Sequence, residues 1–178
     1  MEWYTFSEGQ RRRPAPHFRL TSGRGDPVAL DDYRGRHNLV LLFTLDQEHP
    51  TSRALLRDFA ARHGRYRSED AQVVAFVSEP EANTAGLQAN LSLPFPVLAD
   101  PENKVRRSYL ELVPGGSQED NVVFVIDRFG APYAALTGAE AGDPAVHEEI
   151  LEWLGFIDIQ CPECGVAEWP DLDDSLRR

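Results

Sequence analysis

The sequence predicts an α/β fold with a parallel βαβ core, on three observations. Continuous apolar runs of strand length recur at residues 39–43 (LVLLF), 73–77 (VVAFV) and 122–126 (VVFVI), the signature of strands buried on both faces. Segments with helical spacing separate them. Each helical segment is introduced or stopped by residues suited to the task. Between the first two runs, Leu55, Leu56 and Phe59 recur at helical spacing within residues 51–63. Thr51 or Ser52 can cap that helix and Gly64 can stop it. A second helix is expected over residues 79–91 after Ser78-Glu79-Pro80, and a third over 103–110 after Asp100-Pro101, since proline favours the first helical turn. The turn Asp127-Arg-Phe-Gly130 allows residues 131–136 to return as an antiparallel strand. Asp143-Pro144 opens a last helix with Val146, Ile150, Leu151 and Leu154 on one face. Beyond it, Pro162 and Pro170 oppose regular structure, and residues 171–178 read as a loose polar tail. No internal repeat is visible.

The chain of 178 residues is long enough for one domain with its own core. Its 18 basic against 29 acidic side chains give a net charge of −11. This balance argues against nucleic acid or an anionic membrane surface as partner, because both demand clustered cations. No apolar run reaches the roughly 18 residues of a membrane span. Arg11, Arg12 and Arg13 are followed by Pro14-Ala-Pro-His17 rather than by an apolar stretch, so an export signal is not expected. The expectation is a soluble, cytoplasmic protein.

Five stretches resemble the thioredoxin-fold peroxiredoxins in order and spacing. They are residues 14–20 (PAPHFRL), 28–35 (VALDDYRG), 39–43, 93–101 (LPFPVLADP) and 123–130 (VFVIDRFG). The resemblance covers about residues 14–155. The resemblance implies a thioredoxin-like fold, a central mixed sheet flanked by helices. It also implies a reactive cysteine in the first turn of the helix after the 39–43 strand, where the helix N-terminus lowers a thiol pKa. This sequence departs from that pattern. Residues 44–53 read TLDQEHPTSR, without cysteine. Aligning Glu48-His-Pro-Thr51 with the family motif puts Glu48 and Thr51 at the thiol positions, and neither can form a sulfenic acid or disulfide. The arginine that the family places before the later strand corresponds to Asn121. Asp46, Glu48 and His49 then read either as a solvated loop or as a new metal or general-base site. The helix dipole there opposes a cation. His63 and His147 fall on predicted helices, where surface or packing roles are expected.

The remaining chemical signal is Cys161-Pro-Glu-Cys164-Gly165, the chain's only cysteines. It resembles the knuckle of zinc ribbons and rubredoxins. Two residues between thiolates let both sulfurs reach one ion at about 2.3 Å, and a structural zinc wants four ligands. Three completions are open: two knuckles sharing one zinc across a homodimer, histidines such as His147 within one chain, or no metal and a redox dithiol. Trp153, Phe156, Ile157 and Trp169 flank the knuckle and could form a dimer contact. The sequence is thus divided into residues 1–157, a thioredoxin-like domain, and 158–178, a cysteine knuckle and polar tail. The functional expectation is a non-peroxidatic binding or structural module that holds a metal through Cys161 and Cys164 and pairs with a second copy or another protein. The alternative is a thiol-disulfide oxidoreductase or antioxidant working through that dithiol.

Overall fold

A computed structural model describes residues 1–44, 49–117, 120–160 and 166–169. In chain order the elements are β1 (Tyr4–Thr5), α1 (Glu8–Arg11), β2 (Arg19–Thr21), β3 (Pro27–Ala29), β4 (Asn38–Phe43), α2 (Pro50–Ser68), β5 (Ala71–Val77), α3 (Glu81–Asn90), β6 (Val97–Ala99), α4 (Lys104–Leu110), β7 (Val122–Ile126), β8 (Pro132–Thr137) and α5 (Val146–Asp158). Six strands form one mixed sheet in the order β1-β8-β7-β4-β5-β6, and β2 pairs with β3 outside it. β4, β5 and β6 run parallel, and β7 is antiparallel to both of its neighbours. This is the predicted α/β architecture.

The three apolar runs are the three central strands because both sheet faces are covered. Every residue of β4 and of β7 is buried. Alternation along each strand divides their side chains between two cores. Val40, Leu42, Val73, Ala75, Val123 and Val125 face one core with Leu55, Leu56 and Phe59 of α2 and Ile150 and Leu154 of α5. Leu39, Leu41, Phe43, Val74, Phe76 and Phe124 face the other, with Tyr109 and Leu110 of α4 and Leu30. In this second core Phe43 stacks on Phe76 at 4.4 Å between ring centroids and meets Tyr109 at 5.0 Å.

Local readings are corrected in three places. Gly64 does not stop α2, which runs on to Ser68 because Tyr66, one turn from the end, is fully buried against the neighbouring core. Neither Thr51 nor Ser52 caps α2: Pro50 starts it after His49, which makes no side-chain cap bond. α3 begins at Glu81, with Pro80 as the residue before it. The short strands β1, β2, β3 and β6 lack any long apolar run and escape sequence reading. Gly130 turns the chain between β7 and β8 with φ of +86°, and a Cβ there would lie 2.6 Å from the Trp169 ring. Both facts require glycine.

Candidate functional site

Two poles of the sheet carry the residues singled out by sequence. The first lies at the C-terminal ends of β4 and β5, where α2 begins. Thr44 follows β4 directly, buried, with its N–H and Oγ1 both donating to the Phe76 carbonyl. His49 and Thr51 are exposed, joined by a 2.6 Å contact between His49 Nδ1 and Thr51 Oγ1. Asp46 and Glu48 lie outside the described residues.

Thr51, aligned with the family thiol, points outward, and the buried member of the first helical turn is its neighbour Ser52. The reason is helical spacing. Ser52, Leu55, Leu56 and Phe59 form an i, i+3, i+4, i+7 stripe that faces the core, and Thr51 lies off that stripe. The stripe is readable in the sequence once it is extended one turn toward the N-terminus.

Sequence reasoning also missed Arg106 of α4, which is 4% exposed. Its Nη1 donates to the Thr44 carbonyl at 3.1 Å and its Nη2 donates to the Asp120 carbonyl. The guanidinium therefore ties the end of β4 to Asp120, two residues before β7 and next to Asn121, which stands in place of the family arginine. Burial pulls its pKa down, opposed by the nearby Asp120 and Asp100 carboxylates. Asp100 turns its own oxygens to the N–H groups of Lys104 and Arg106, fixing the start of α4. The signal that could have found Arg106 is its i+3 and i+4 relation to Tyr109 and Leu110, both buried. The side chains of Phe43, Thr44, Phe76, Ser78, Asp100 and Arg106 pack closely and leave no room for a water molecule between them.

The second pole lies at the opposite end of β4. Cys161 and Cys164 fall outside the described residues, but both of their flanks are placed. Before them, Asp158 accepts from Asn38 Nδ2 at 3.1 Å and from Arg128 Nη2 at 3.0 Å, which fixes the end of α5 beside the start of β4. After them, Glu168 N–H donates to the Arg12 carbonyl, and Trp169 Nε1 donates to the Phe129 carbonyl at 2.7 Å. The Trp169 ring lies under the Arg34 guanidinium at 4.4 Å. Asn38 and Phe43 are separated by about 17 Å at 3.3 Å per strand residue. The flanks of the cysteine pair thus lie a strand's length from the pole that holds Thr51 and Ser52.

The side chains expected at a dimer contact divide. Trp169 and Ile157 fold back on their own domain. Trp153 packs against Trp3 and Phe156. Phe156, 43% exposed, and Ile159, 80% exposed, remain on the surface.

His147 is enclosed between α5 and α2, only 1% exposed. Tyr66 Oη lies 2.5 Å from Nδ1, Asp58 Oδ2 lies 3.5 Å from Nε2, and the ring meets the edge of Phe59 at 4.5 Å. With its ring buried and both nitrogens facing groups on α2, His147 is a packing residue. The cysteines that a one-chain metal site would pair with it lie outside the described residues. His63 is half-buried and also on α2. Among the described residues no group of three or more His, Cys, Asp or Glu side chains could hold a metal, and no helix is long and apolar enough to cross a membrane.

Residues 12–131 match the AhpC/TSA family. Among curated proteins, peroxiredoxin tpx1 of Schizosaccharomyces pombe is 26% identical over 156 residues, covering 82% of this chain and 79% of that protein. The chloroplastic peroxiredoxin Q of Oryza sativa subsp. japonica is 27% identical over 119 residues, 65% of this chain, and the match spans 54% of the rice protein's length. Among solved structures, peroxidoxin BcpB of Mycobacterium tuberculosis superposes with a TM-score of 0.70 at 18% identity, over 83% of this chain and 96% of that one. A putative thiol:disulfide interchange protein DsbE from Chlorobium tepidum superposes with a TM-score of 0.64 at 25% identity, over 80% and 96%. The shared fold is thioredoxin-like.

Proposed function

The chain belongs to the AhpC/TSA family, and we propose that within it this protein is a non-peroxidatic member, a binding or structural module whose C-terminal cysteine pair holds a metal and joins two copies in the cytoplasm. One observation carries the reading. The first turn of α2 bears hydroxyls and no sulfur, and the chain's two cysteines come after α5 in sequence, between flanking residues that are tied to the far end of the sheet. A hydroxyl is not oxidised by peroxide as a thiolate is.

The cysteine pair suits a metal that two chains share. Each chain offers two thiolates at knuckle spacing, and a tetrahedral zinc needs four ligands. His147, the in-chain ligand considered above, is enclosed by Tyr66, Asp58 and Phe59. Clamping of Asp158 on one side and Trp169 on the other shortens the span in which the knuckle must close, which lowers the entropy of forming it. Phe156 and Ile159 supply exposed apolar surface beside it. The second reading, a thiol-disulfide oxidoreductase working through Cys161 and Cys164, is favoured by the likeness to the putative thiol:disulfide interchange protein DsbE of Chlorobium tepidum.

Thiol titration of protein purified without chelator, combined with mass in solution, separates the two readings. The module reading predicts thiols that react only after chelation, one metal per two chains, and a mass twice the 20.0 kDa of one chain that falls to one chain mass on chelation or in Cys164→Ser. Thiols that react at once, or a disulfide in a metal-free monomer, would favour the oxidoreductase.

A further inference from the structure

Helix α5 carries two stripes. Val146, Ile150, Leu154 and Ile157 face the core. A second stripe, Glu149, Glu152, Trp153 and Phe156 at i, i+3, i+4 and i+7, lines an open surface groove of about 560 Å³. The rings of this groove are held from behind. Trp153 lies 6.3 Å from Trp3 and meets Phe156 edge-on at 5.9 Å, and Phe156 meets Tyr133 edge-on at 6.4 Å. Phe156 is nevertheless 43% exposed. The carboxylates beside the rings differ in how far they are satisfied. Glu148 takes both guanidinium nitrogens of Arg65, and Glu149 accepts from Trp3 Nε1 at 2.6 Å and lies 3.8 Å from the Met1 amino group. Glu152 is exposed and, among the described residues, has no hydrogen bond or ion pair. It stands four residues after Glu148 and three after Glu149, a spacing at which like charges destabilise a helix. The helix dipole accounts for the first-turn pair Glu148 and Glu149, but Glu152 lies beyond that turn.

We infer that this groove binds an arginine side chain presented by a basic segment of another protein. A guanidinium stacks on an aromatic face while its N–H groups bond a carboxylate. Glu152 and Phe156 are i and i+4 neighbours on the helix, and Phe156 in turn meets Trp153, so one unpaired carboxylate and two rings border the same groove. The chain already makes this kind of contact twice. Arg11 lies over Tyr133 at 4.6 Å, at the edge of the same ring cluster, and Arg34 lies over Trp169 at 4.4 Å. A net charge of −11 draws a basic segment toward the protein. A second copy suits the groove less well, because a two-fold contact centred here would set Glu149 and Glu152 against the same two carboxylates. Ile159, 80% exposed and one turn beyond Phe156, remains for a contact between copies. The inference rests on the reading of the protein as a binding module and is independent of what Cys161 and Cys164 hold.

The test titrates isotope-labelled full-length protein with a capped peptide, Gly-Arg-Gly-Arg-Gly-Arg-Gly, and with the same peptide carrying citrulline, the uncharged isostere, at each arginine. The chain's three tryptophans, Trp3, Trp153 and Trp169, report separately through their indole N–H signals. The arginine peptide is expected to move the signals of Trp153 and Trp3 and to leave that of Trp169 in place, and the citrulline peptide to move none. Glu152→Gln and Trp153→Leu should each weaken binding about fourfold, as expected for the loss of an exposed ion pair or cation–π contact. Glu152 is exposed, so its variant probes the groove without disturbing the core. Glu102→Gln, which removes the same charge ahead of α4, should leave binding unchanged. An unmoved Trp153 signal, binding of the citrulline peptide, or equal weakening by Glu102→Gln would overturn the inference. So would a fall in the mass of Trp153→Leu in solution with peptide binding intact, which would make the groove a contact between copies. Failure of the underlying reading appears elsewhere, as hydroperoxide consumption by protein lacking Cys161 and Cys164, an assay that the peptide does not enter.

Discussion

Replacing Arg106 by methionine is expected to lower stability by about 3 kcal/mol, since hydrogen bonds from charged donors are worth about 1.5–3 kcal/mol each and two carbonyls, one buried and one partly buried, lose theirs. Those carbonyls belong to Thr44, at the end of β4, and Asp120, just ahead of β7. The two strands pair at Phe43 and Val122, so the guanidinium closes the top of the central ladder. Methionine keeps the stem's apolar packing and removes the donors, which isolates the polar contribution. Arg106→Lys should recover part of the loss, because an ammonium can serve one carbonyl well but lacks the fork that serves two. Urea denaturation checks this, with the midpoint falling and the slope unchanged. A loss under about 0.5 kcal/mol for the methionine variant would show that the two bonds contribute nothing net.

The second large effect concerns acid. Burial, reinforced by the Arg62 guanidinium and only partly opposed by Asp58, pushes the His147 pKa below the ordinary value of 6.5. The folded chain therefore holds fewer protons on this ring than the unfolded chain does. Stability from this group is fully present above the unfolded pKa of about 6.5 and is lost as pH falls below it toward the folded value. One group titrating in this way gives a slope of at most about 1.4 kcal/mol per pH unit. Tyr66, whose own pKa burial pushes up, keeps its proton throughout and donates it to Nδ1. His147→Gln retains an acceptor for that hydroxyl and removes the titration. Chemical denaturation from pH 7.5 to 5 should therefore show the parent losing stability below about pH 6.5 relative to the Gln variant. Parallel curves would place His147 outside this linkage.

The sequence made the central strands legible because they are buried on both faces, which leaves uninterrupted apolar runs. Residues 39–43, 73–77 and 122–126 lie within β4, β5 and β7. Short edge elements such as β1 and β6 carry two or three residues each and leave no periodic signal. Gly64 misled because a helix end is decided by what the next turn buries, and here that is Tyr66. At the site, the absence of sulfur was readable directly, but which hydroxyl faces inward depends on helical phase: Ser52, not Thr51, continues the stripe of Leu55, Leu56 and Phe59. Arg106 was hidden because a charged residue on a predicted helix is read by default as solvated, and only its phase with Tyr109 and Leu110 marks it as buried. Trp169 was considered as dimer surface; the glycine at 130 and the guanidinium of Arg34 that receive its ring lie far from it in sequence.

The account's central claim is that the pole at the start of α2 does not reduce hydroperoxides in this protein. Its most direct test is hydroperoxide consumption, with a thiol reductant present, by the full-length parent and by the variant with Cys161 and Cys164 both replaced by Ser. The account predicts no consumption above the reductant background in the variant, and that any slow consumption by the parent disappears with the two cysteines. Rapid consumption that survives their replacement would contradict it.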